Sequence, residues 1–302
     1  MVTTVNKRVL VTGSCGFTGQ YLVSELERKG WDVFGAGSST HEGCANYRCI
    51  DLTSLNDVRS AVNELEPDIV VHLAAVAFVG HGNVDDFYHV NLLGTRNLLS
   101  ALAESKKKPE CVLLASSANV YGNTTDGMLS ETMRPNPAND YAVSKLSMEF
   151  MARLWSEELP LVIVRPFNYT GVGQSESFLI PKIVSHFRNK STEIELGNLD
   201  VSRDFSDVRS VVRIYRRLLE EQPIGETVNV CSGKLVSLKE IVTLAETITA
   251  HSMSVKVNPA FVRSNEVKTL CGDPSKLKRL IGDTEMFTLE ETLRWMLFED
   301  LP

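Results

Sequence analysis

Residues 8–29 read RVLVTGSCGFTGQYLVSELERK, and three local signals follow one another within them. Val9, Leu10 and Val11 form a short apolar run of strand type, Gly13, Gly16 and Gly19 come next, and Tyr21, Leu22 and Leu26 then recur at helical spacing. The order predicts strand, glycine turn, helix. Glycines let a backbone turn sharply and come close to a bound group, and the first N–H groups of a helix, which lack carbonyl partners, suit an anion such as a pyrophosphate. The spacing is G-x-x-G-x-x-G, one residue longer in its first gap than the G-x-G-x-x-G dinucleotide fingerprint. Three glycines alone would also suit a tight turn between packed elements. With a strand before them, an amphipathic helix after them and a second strand at Trp31 to Ala36, dinucleotide binding is the expectation.

Working outward, the pattern repeats. Strands are expected near Tyr47 to Ile50, at Ile69 to Leu73, at Cys111 to Ser116 and at Leu161 to Arg165, with helices at Ser54 to Glu64, Asn91 to Glu104 and Tyr141 to Glu157. Strands alternating with helices pair in parallel through crossovers, so the fold class is α/β, a doubly wound parallel sheet of Rossmann type. Ligands in such sheets lie beyond the carboxyl ends of the strands. From Asn168 the alternation stops: a polar loop NYTGVGQSES leads to a helix at Phe178 to Arg188, then a helix at Asp207 to Leu219, a strand at Thr227 to Cys231 and a last helix at Leu289 to Phe298. The expected division is a dinucleotide-binding domain over 1–167, rejoined by 205–231, and a smaller, discontinuous substrate-binding region over 168–204 and 232–302.

A chain of 302 residues with 43% hydrophobic content can bury a large core as one large domain or two entangled ones. Its net charge of −7, without charge blocks, disfavours nucleic acid as a partner. No apolar run approaches ~18 residues, and the N-terminus lacks the positive-then-apolar order of a signal peptide, so no membrane partner and a cytoplasmic location are expected. The six cysteines show no C-x-x-C spacing, which predicts neither disulfides nor a metal.

Tyr141 and Lys145 stand four apart at the start of an expected helix, on one face. A phenol near pKa ~10 is a poor proton donor at neutral pH, and a nearby ammonium lowers that value. Such a pair is more often an exposed polar pair. Ser117 changes the balance, because it ends a strand neighbouring the glycine-turn strand, where its hydroxyl can donate to a carbonyl oxygen gaining negative charge. Serine as a nucleophile is the competing idea, but no histidine follows Ser117 until His186 and no G-x-S-x-G elbow occurs.

The chain resembles the extended short-chain dehydrogenase/reductase family through TGSCGFTG at 12–19, HLAA at 72–75, NLLGT at 91–95, SSANVYG at 116–122, YAVSK at 141–145 and RPFN at 165–168. The resemblance implies Tyr141 as acid/base, Lys145 as the residue that holds the nicotinamide ribose and lowers the tyrosine pKa, and Ser117 as the group polarising a substrate carbonyl. It implies cofactor contacts from Gly13, Gly16, Phe17, Thr18 and Gly19; from Ser38, Ser39, Asp51 and Leu52; from Leu73, Ala74, Ala75 and Asn91; and from Ser116, Pro166 and Phe167. Sugar-nucleotide dehydratases in the group carry an acid pair where this chain has Ala118 and Asn119, which disfavours dehydration and leaves ketone reduction or 4-epimerisation.

GNLDVSRDFSDV at 197–208, NVCSGK at 229–234 and RSNEVKTLCGDPSK at 263–276 are similar to the GDP-mannose dehydratase and GDP-4-keto-6-deoxy-D-mannose reductase branch, the reductases above all. That likeness implies Asn168 and Lys182 as diphosphate and sugar contacts, Arg203 as a diphosphate-binding arginine, and Arg263 with Glu266 on the guanosine side. Guanidinium groups do pair with phosphate oxygens, and a carboxylate can accept from ribose hydroxyls or a guanine edge. Each arginine alone could equally be a surface ion pair. The pattern departs at Ser264 and Lys268.

An acidic residue after the second strand would bind the adenosine 2′-hydroxyl, but Gly35-Ala36-Gly37-Ser38-Ser39 leaves room for a 2′-phosphate that Arg48 could reach. The expectation is NADP(H), with NAD(H) also usable. The reaction expected is reduction of the C4 ketone of GDP-4-keto-6-deoxy-D-mannose to GDP-D-rhamnose. Its rivals are the C4-epimeric product GDP-6-deoxy-D-talose, an NAD-retaining 4-epimerase, and a non-catalytic dinucleotide sensor. Resemblance also implies a homodimer through the helices Asn91 to Glu104 and Tyr141 to Glu157, although Leu92, Leu98, Leu99 and Leu102 are equally ordinary core.

Overall fold

The opening apolar run is strand β1 (Arg8–Thr12), buried from Val9 onward. The computed structural model describes residues 7–40, 46–77, 82–122, 127–199, 201–261 and 268–299. After the glycine turn come α1 (Phe17–Arg28), β2 (Asp32–Gly37), β3 (Tyr47–Cys49), α2 (Leu55–Leu65) and β4 (Ile69–His72). A π-helical stretch, Phe87–Gly94, runs into α3 (Thr95–Glu104), followed by β5 (Cys111–Ala115), a 3-10 turn (Ala118–Tyr121), α4 (Asp140–Ala152) and β6 (Leu161–Pro166). Then come β7 (Asn168–Thr170), α5 (Leu179–Arg188), β8 (Glu193–Leu196), β9 (Ser202–Asp207), α6 (Val208–Glu221) and β10 (Thr227–Val230). The chain continues through β11 (Leu235–Ser237), α7 (Leu238–Thr249), β12 (Ser254–Val257), β13 (Thr269–Leu270), α8 (Ser275–Ile281) and α9 (Leu289–Phe298).

Seven strands form one parallel sheet in the order β10-β6-β5-β4-β1-β2-β3. The near-continuous apolar character of β1, β4 and β5 follows from cover on both faces. Side chains alternate between faces with period two. Val9, Val11, Ile69, Val71 and Leu113 pack with Leu22 and Leu26 of α1 and with Val211, Ile214 and Leu218 of α6. Leu10, Val70, Val112 and Leu114 pack with Val58 and Val62 of α2, Leu98 and Leu102 of α3, and Met148 of α4. The sheet is therefore doubly wound. Its order reverses between β1 and β4, where such sheets open a crevice.

A second sheet is built around β9, with β11 antiparallel on one side and β13 and β7 parallel to it, and β8 pairs with β12 separately. Helices α5, α7 and α9 cover this part through Ile183, Phe187, Ile241, Leu293 and Met296. The chain leaves the large sheet after β6, returns to it with α6 and β10, and leaves again.

The structure differs from the sequence expectation in one strand neighbour and at several boundaries: β5, which leads to Ser117, lies between β4 and β6 and is separated from β1 by β4. The helix expected from Asn91 starts at Phe87, and its first part is π-helical up to Gly94. Helix α4 stops at Ala152, where a 3-10 turn over Arg153–Trp155 replaces the expected continuation to Glu157. Helix α7, absent from the sequence reading, begins with a capping box in which the Ser237 hydroxyl accepts from the Glu240 amide and the Glu240 carboxylate accepts from the Ser237 amide. Among the described residues no helix is long and apolar enough to cross a membrane.

Gly13 sets how the glycine turn meets the end of β4. Its φ is +72°, and a Cβ there would stand 2.8 Å from the Ala74 amide nitrogen, so both the left-handed backbone and the close approach require glycine. Gly19 answers from α1, where a Cβ would fall 2.1 Å from the Gly13 carbonyl oxygen. We expect Gly13→Ala to destabilise the protein by roughly 1–3 kcal/mol in urea unfolding, from backbone strain and displacement of Ala74; an unchanged midpoint would contradict this close approach.

Candidate active site

A cavity of about 880 Å³ opens beyond the carboxyl ends of β1, β4, β5 and β6, within the size range of small-molecule sites. Gly13, Gly16, Phe17, Thr18 and Gly19 line it, so the first turn of α1 faces it. That helix has Gly16 as its N-cap with no side-chain cap and no acidic residue in its first turn. Its leading amides are therefore left to a ligand, and an anion suits them. Leu73 and Ala75 after β4, Ser116 and Ser117 after β5, and Pro166, Phe167 and Asn168 at the end of β6 complete this wall, with Tyr141 and Lys145 of α4. Arg203 of β9 lines the same cavity, and its guanidinium donates to the Ser202 and Lys268 carbonyls at 3.0 Å each. Among the described residues that line the cavity there is no carboxylate.

Helix α4 is set by its N-cap: the Asn139 side chain accepts from the Ala142 amide at 2.9 Å. Tyr141 then packs edge-on against Phe87, with centroids 5.9 Å apart. The phenol is pushed up to about 12, chiefly by burial, and a hydrogen bond with the Ser117 hydroxyl works in the opposite direction. Ser117 accepts from the Asn119 amide at 3.1 Å, which orients its oxygen at the start of the 3-10 turn. Lys145 donates to the Ala115 carbonyl at 2.8 Å. Burial lowers its ammonium to about 8 while Glu149 resists the shift. In this geometry the Ser117 hydroxyl pulls the Tyr141 pKa down, while the Lys145 ammonium donates to β5 one helical turn away.

Other expected residues fall elsewhere. Ser38 and Ser39 are exposed beyond β2, with the Ser39 carbonyl accepting from the Tyr47 hydroxyl at 2.6 Å. Arg48 pairs with Glu64 of α2 and reaches Ser60, so it does not point at the end of β2. Asp51 is exposed and accepts from the Thr53 amide and hydroxyl at 2.9 and 2.7 Å, and Leu52 packs beside Gly94. Asn91 is fully buried and does not line the cavity; its amide clamps the Val76 backbone and donates to Ser144 at 3.1 Å. Lys182 also stands apart, donating to the Glu195 carbonyl at 2.8 Å with its ammonium 4.4 Å from the centre of the Phe261 ring. Arg263 and Glu266 lie outside the described residues.

The sequence reading passed over Tyr169 and Tyr215. Tyr169 shares a hydrogen bond with Thr18 at 2.8 Å, which ties the glycine-turn helix to β7, and Tyr215 of α6 is 1% exposed yet contributes to the cavity wall. Tyr169 sits in a polar, glycine-bearing loop already noticeable in the sequence. Tyr215 reads as core, and nothing in its neighbours signals otherwise.

Below the cavity runs a directional chain. The Ala74 amide donates to the Thr12 hydroxyl at 3.4 Å, Thr12 meets His72 Nδ1 at 2.7 Å, His72 Nε2 meets Thr95 at 2.9 Å, and Thr95 donates to the Asn91 carbonyl at 2.7 Å. Because Thr95 spends its proton on Asn91, Nε2 must carry the imidazole proton and Nδ1 must accept from Thr12. Burial, aided by the Lys145 charge, lowers His72 to about 3 and keeps it neutral.

The profile of the GDP-mannose 4,6 dehydratase family matches residues 10–296. This chain belongs to that family of extended short-chain dehydrogenases/reductases. It is 39% identical to GDP-6-deoxy-D-talose 4-dehydrogenase of Aggregatibacter actinomycetemcomitans over 97% of this chain and 99% of the relative. It is 32% identical to GDP-6-deoxy-D-mannose reductase of Pseudomonas aeruginosa over 97% of each. Among solved structures, a Burkholderia cenocepacia J2315 protein provisionally described as an epimerase is 48% identical, with a TM-score of 0.91 over 96% of this chain and 97% of that one. RMD from Pseudomonas aeruginosa, solved with NADPH, is 30% identical, with a TM-score of 0.84 over 97% and 96%.

His72 makes stability pH-dependent in a defined window. Its folded pKa, about 3, lies below the unfolded value of 6.5, so the unfolded chain takes up the proton first as pH falls. The contribution of the neutral ring is therefore present above about pH 6.5 and lost toward pH 3, by up to ~1.4 kcal/mol per pH unit. We expect the stability difference between wild type and His72→Gln to shrink with that slope in acid denaturant titrations; a constant difference would show that His72 is not buried neutral.

Proposed function

We propose that this protein is an NADP(H)-dependent reductase that acts on the C4 ketone of GDP-4-keto-6-deoxy-D-mannose. The observation that carries this reading is the buried meeting of Ser117 and Tyr141, with Lys145 one helical turn on, in a cavity that also reaches Arg203. A nicotinamide cofactor supplies hydride when bound. The chain supplies the rest. Tyr141, a neutral phenol, holds the proton that the C4 oxygen takes up, and Ser117 donates to that oxygen as its charge grows. Lys145 adds positive charge within the same walls. Arg203 suits the diphosphate, Asn168 the sugar side, and the uncapped start of α1 the cofactor pyrophosphate.

The lack of carboxylates among the described cavity residues bears on the choice of reaction. Expelling a C6 hydroxyl as water needs an acid near that carbon, and Ala118 and Asn119 occupy the wall where one would sit. Reduction needs no such acid: besides the hydride that a bound nicotinamide would supply, it takes only the proton of Tyr141. The same feature suits two ligands rich in phosphate, since a carboxylate facing them would repel them. For the cofactor, the absence of an acid at Gly37, Ser38 and Ser39 and the NADPH in the Pseudomonas RMD structure support NADP(H).

For the product, the sequence reading is GDP-D-rhamnose, which the Pseudomonas reductase supports. A second reading, GDP-6-deoxy-D-talose, is favoured by the greater identity to the Aggregatibacter enzyme. The two differ only in the face of C4 that receives hydride. We expect purified protein to oxidise NADPH with the GDP-4-keto sugar and Tyr141→Phe to lose at least ~100-fold in kcat. A large H3–H4 proton coupling in the product identifies rhamnose and a small one talose. Turnover of a GDP-sugar without added reductant would replace reduction by epimerisation.

We further infer a homodimer. Leu93 in the π-helical stretch, Phe150 in α4 and Leu154 just after it are 46%, 58% and 78% exposed, on elements that pack against each other. Three large apolar side chains in water on neighbouring helices suit a partner's matching face. Phe150→Glu with Leu154→Glu is expected to give a monomer in sedimentation analysis; an unchanged sedimentation coefficient would refute this interface.

A further inference from the structure

The proposed reduction divides its groups between two elements. Ser117 follows β5, whereas Tyr141 and Lys145 belong to α4. Their hydroxyls can serve one oxygen only if strand and helix are fixed to each other within about half an ångström. Lys145 makes one tie, to the Ala115 carbonyl at 2.8 Å.

Glu149 makes the second. It stands one helical turn beyond Lys145 on the same face. Its Oε1 accepts from the Ser116 hydroxyl at 2.5 Å, which anchors the residue next to Ser117. Arg165 of β6 grips the same carboxylate from the other side, with Nε to Oε1 at 2.9 Å and a terminal nitrogen to Oε2 at 2.6 Å. The remaining arm of Arg165 donates to the Tyr121 hydroxyl at 2.9 Å, and the guanidinium lies 5.0 Å from the centre of that ring. Tyr121 closes the 3-10 turn that begins after Ser117, and its own hydroxyl donates to Asn229 Oδ1 at 2.8 Å. One guanidinium thus holds the helix of Tyr141 and the turn of Ser117 together.

None of this is exposed: Arg165 is 3%, Glu149 1%, Tyr121 0% and Asn229 0% accessible. A buried ion pair is weak evidence for stability, because desolvation consumes most of the attraction and apolar residues of equal volume often serve as well. A fully satisfied polar network does fix geometry. Neither Arg165 nor Glu149 lines the cavity, so neither can touch a substrate there.

We propose that the Arg165–Glu149 pair is the positioning device of this active site, holding Tyr141 and Lys145 in register with Ser117. The inference rests on the reductase reading above. It requires the pair to act mainly on kcat and to change ligand binding little, because the groups suited to the two diphosphates, the first turn of α1 and Arg203 of β9, lie on elements that the pair does not hold.

The test compares Glu149→Gln, Arg165→Lys, Tyr121→Phe and Tyr141→Phe by NADPH oxidation, by fluorescence titration with NADPH and by thermal unfolding. We expect a roughly hundredfold loss of kcat for Glu149→Gln, about tenfold for Tyr121→Phe and an intermediate loss for Arg165→Lys, which keeps the charge without the fork, with KM and NADPH affinity within about twofold. Tyr121→Phe removes a single hydroxyl, so it decides the matter if Glu149→Gln does not fold. Wild-type kcat in Tyr121→Phe beside an inactive Tyr141→Phe would overturn the positioning role alone. So would a rise in KM at constant kcat. Full turnover in Tyr141→Phe would overturn the reductase reading itself, and this inference with it.

Discussion

Much of the molecule depends on how closely the turn after β1 settles onto the end of β4. With no side chain at Gly13, the backbone lies against the Ala74 amide, and Gly19 lets α1 descend onto the same turn. The approach brings the open end of α1 to the crevice and places Thr12 over His72, from which the hydrogen-bonded chain runs to Asn91. Asn91 in turn reaches Ser144 in the helix that carries Tyr141. Two glycines at the start of the chain therefore bear on the placement of a residue more than a hundred positions later.

Charge is distributed with a consistent logic. Where phosphates are expected, the described wall offers amide groups, Lys145 and Arg203 and no anion. Behind that wall Glu149 faces both Arg165 and, through space, Lys145. An acid placed one layer back moderates the loss of charge that burial imposes on Lys145 without presenting a carboxylate to the ligands. His72, held between two hydroxyls, is kept neutral by burial and by the Lys145 charge.

The sequence made the large sheet legible because both of its faces are covered, so its strands are short apolar runs and its helices have one apolar side. The glycine turn and the spacing of Tyr141 and Lys145 carried the site for the same local reason. The π-helical stretch was not legible, since its hydrogen-bond register leaves no compositional mark. Strands β11, β12 and β13 are two to four residues long and partly exposed, too short for a period to emerge. Helix α7 could have been found from Ser237 and Glu240, whose spacing is that of a capping box. The partners of Lys182 and Arg48 were beyond reach because each depends on tertiary neighbours, Phe261 in one case and Glu64 in the other.

A widened helical turn such as Phe87–Gly94 closes its hydrogen bonds one residue further along the chain than an α-helix does, while both flanks keep their packing. Phe87 stays against Tyr141 on one side, Leu98 and Leu102 stay in the core on the other, and the slack falls where Asn91 turns inward to the Val76 backbone. Loss of a single codon in this stretch would force one flank to rotate by about a hundred degrees. Gene variants that shorten the segment should therefore be rarer among working relatives than those that merely exchange its letters.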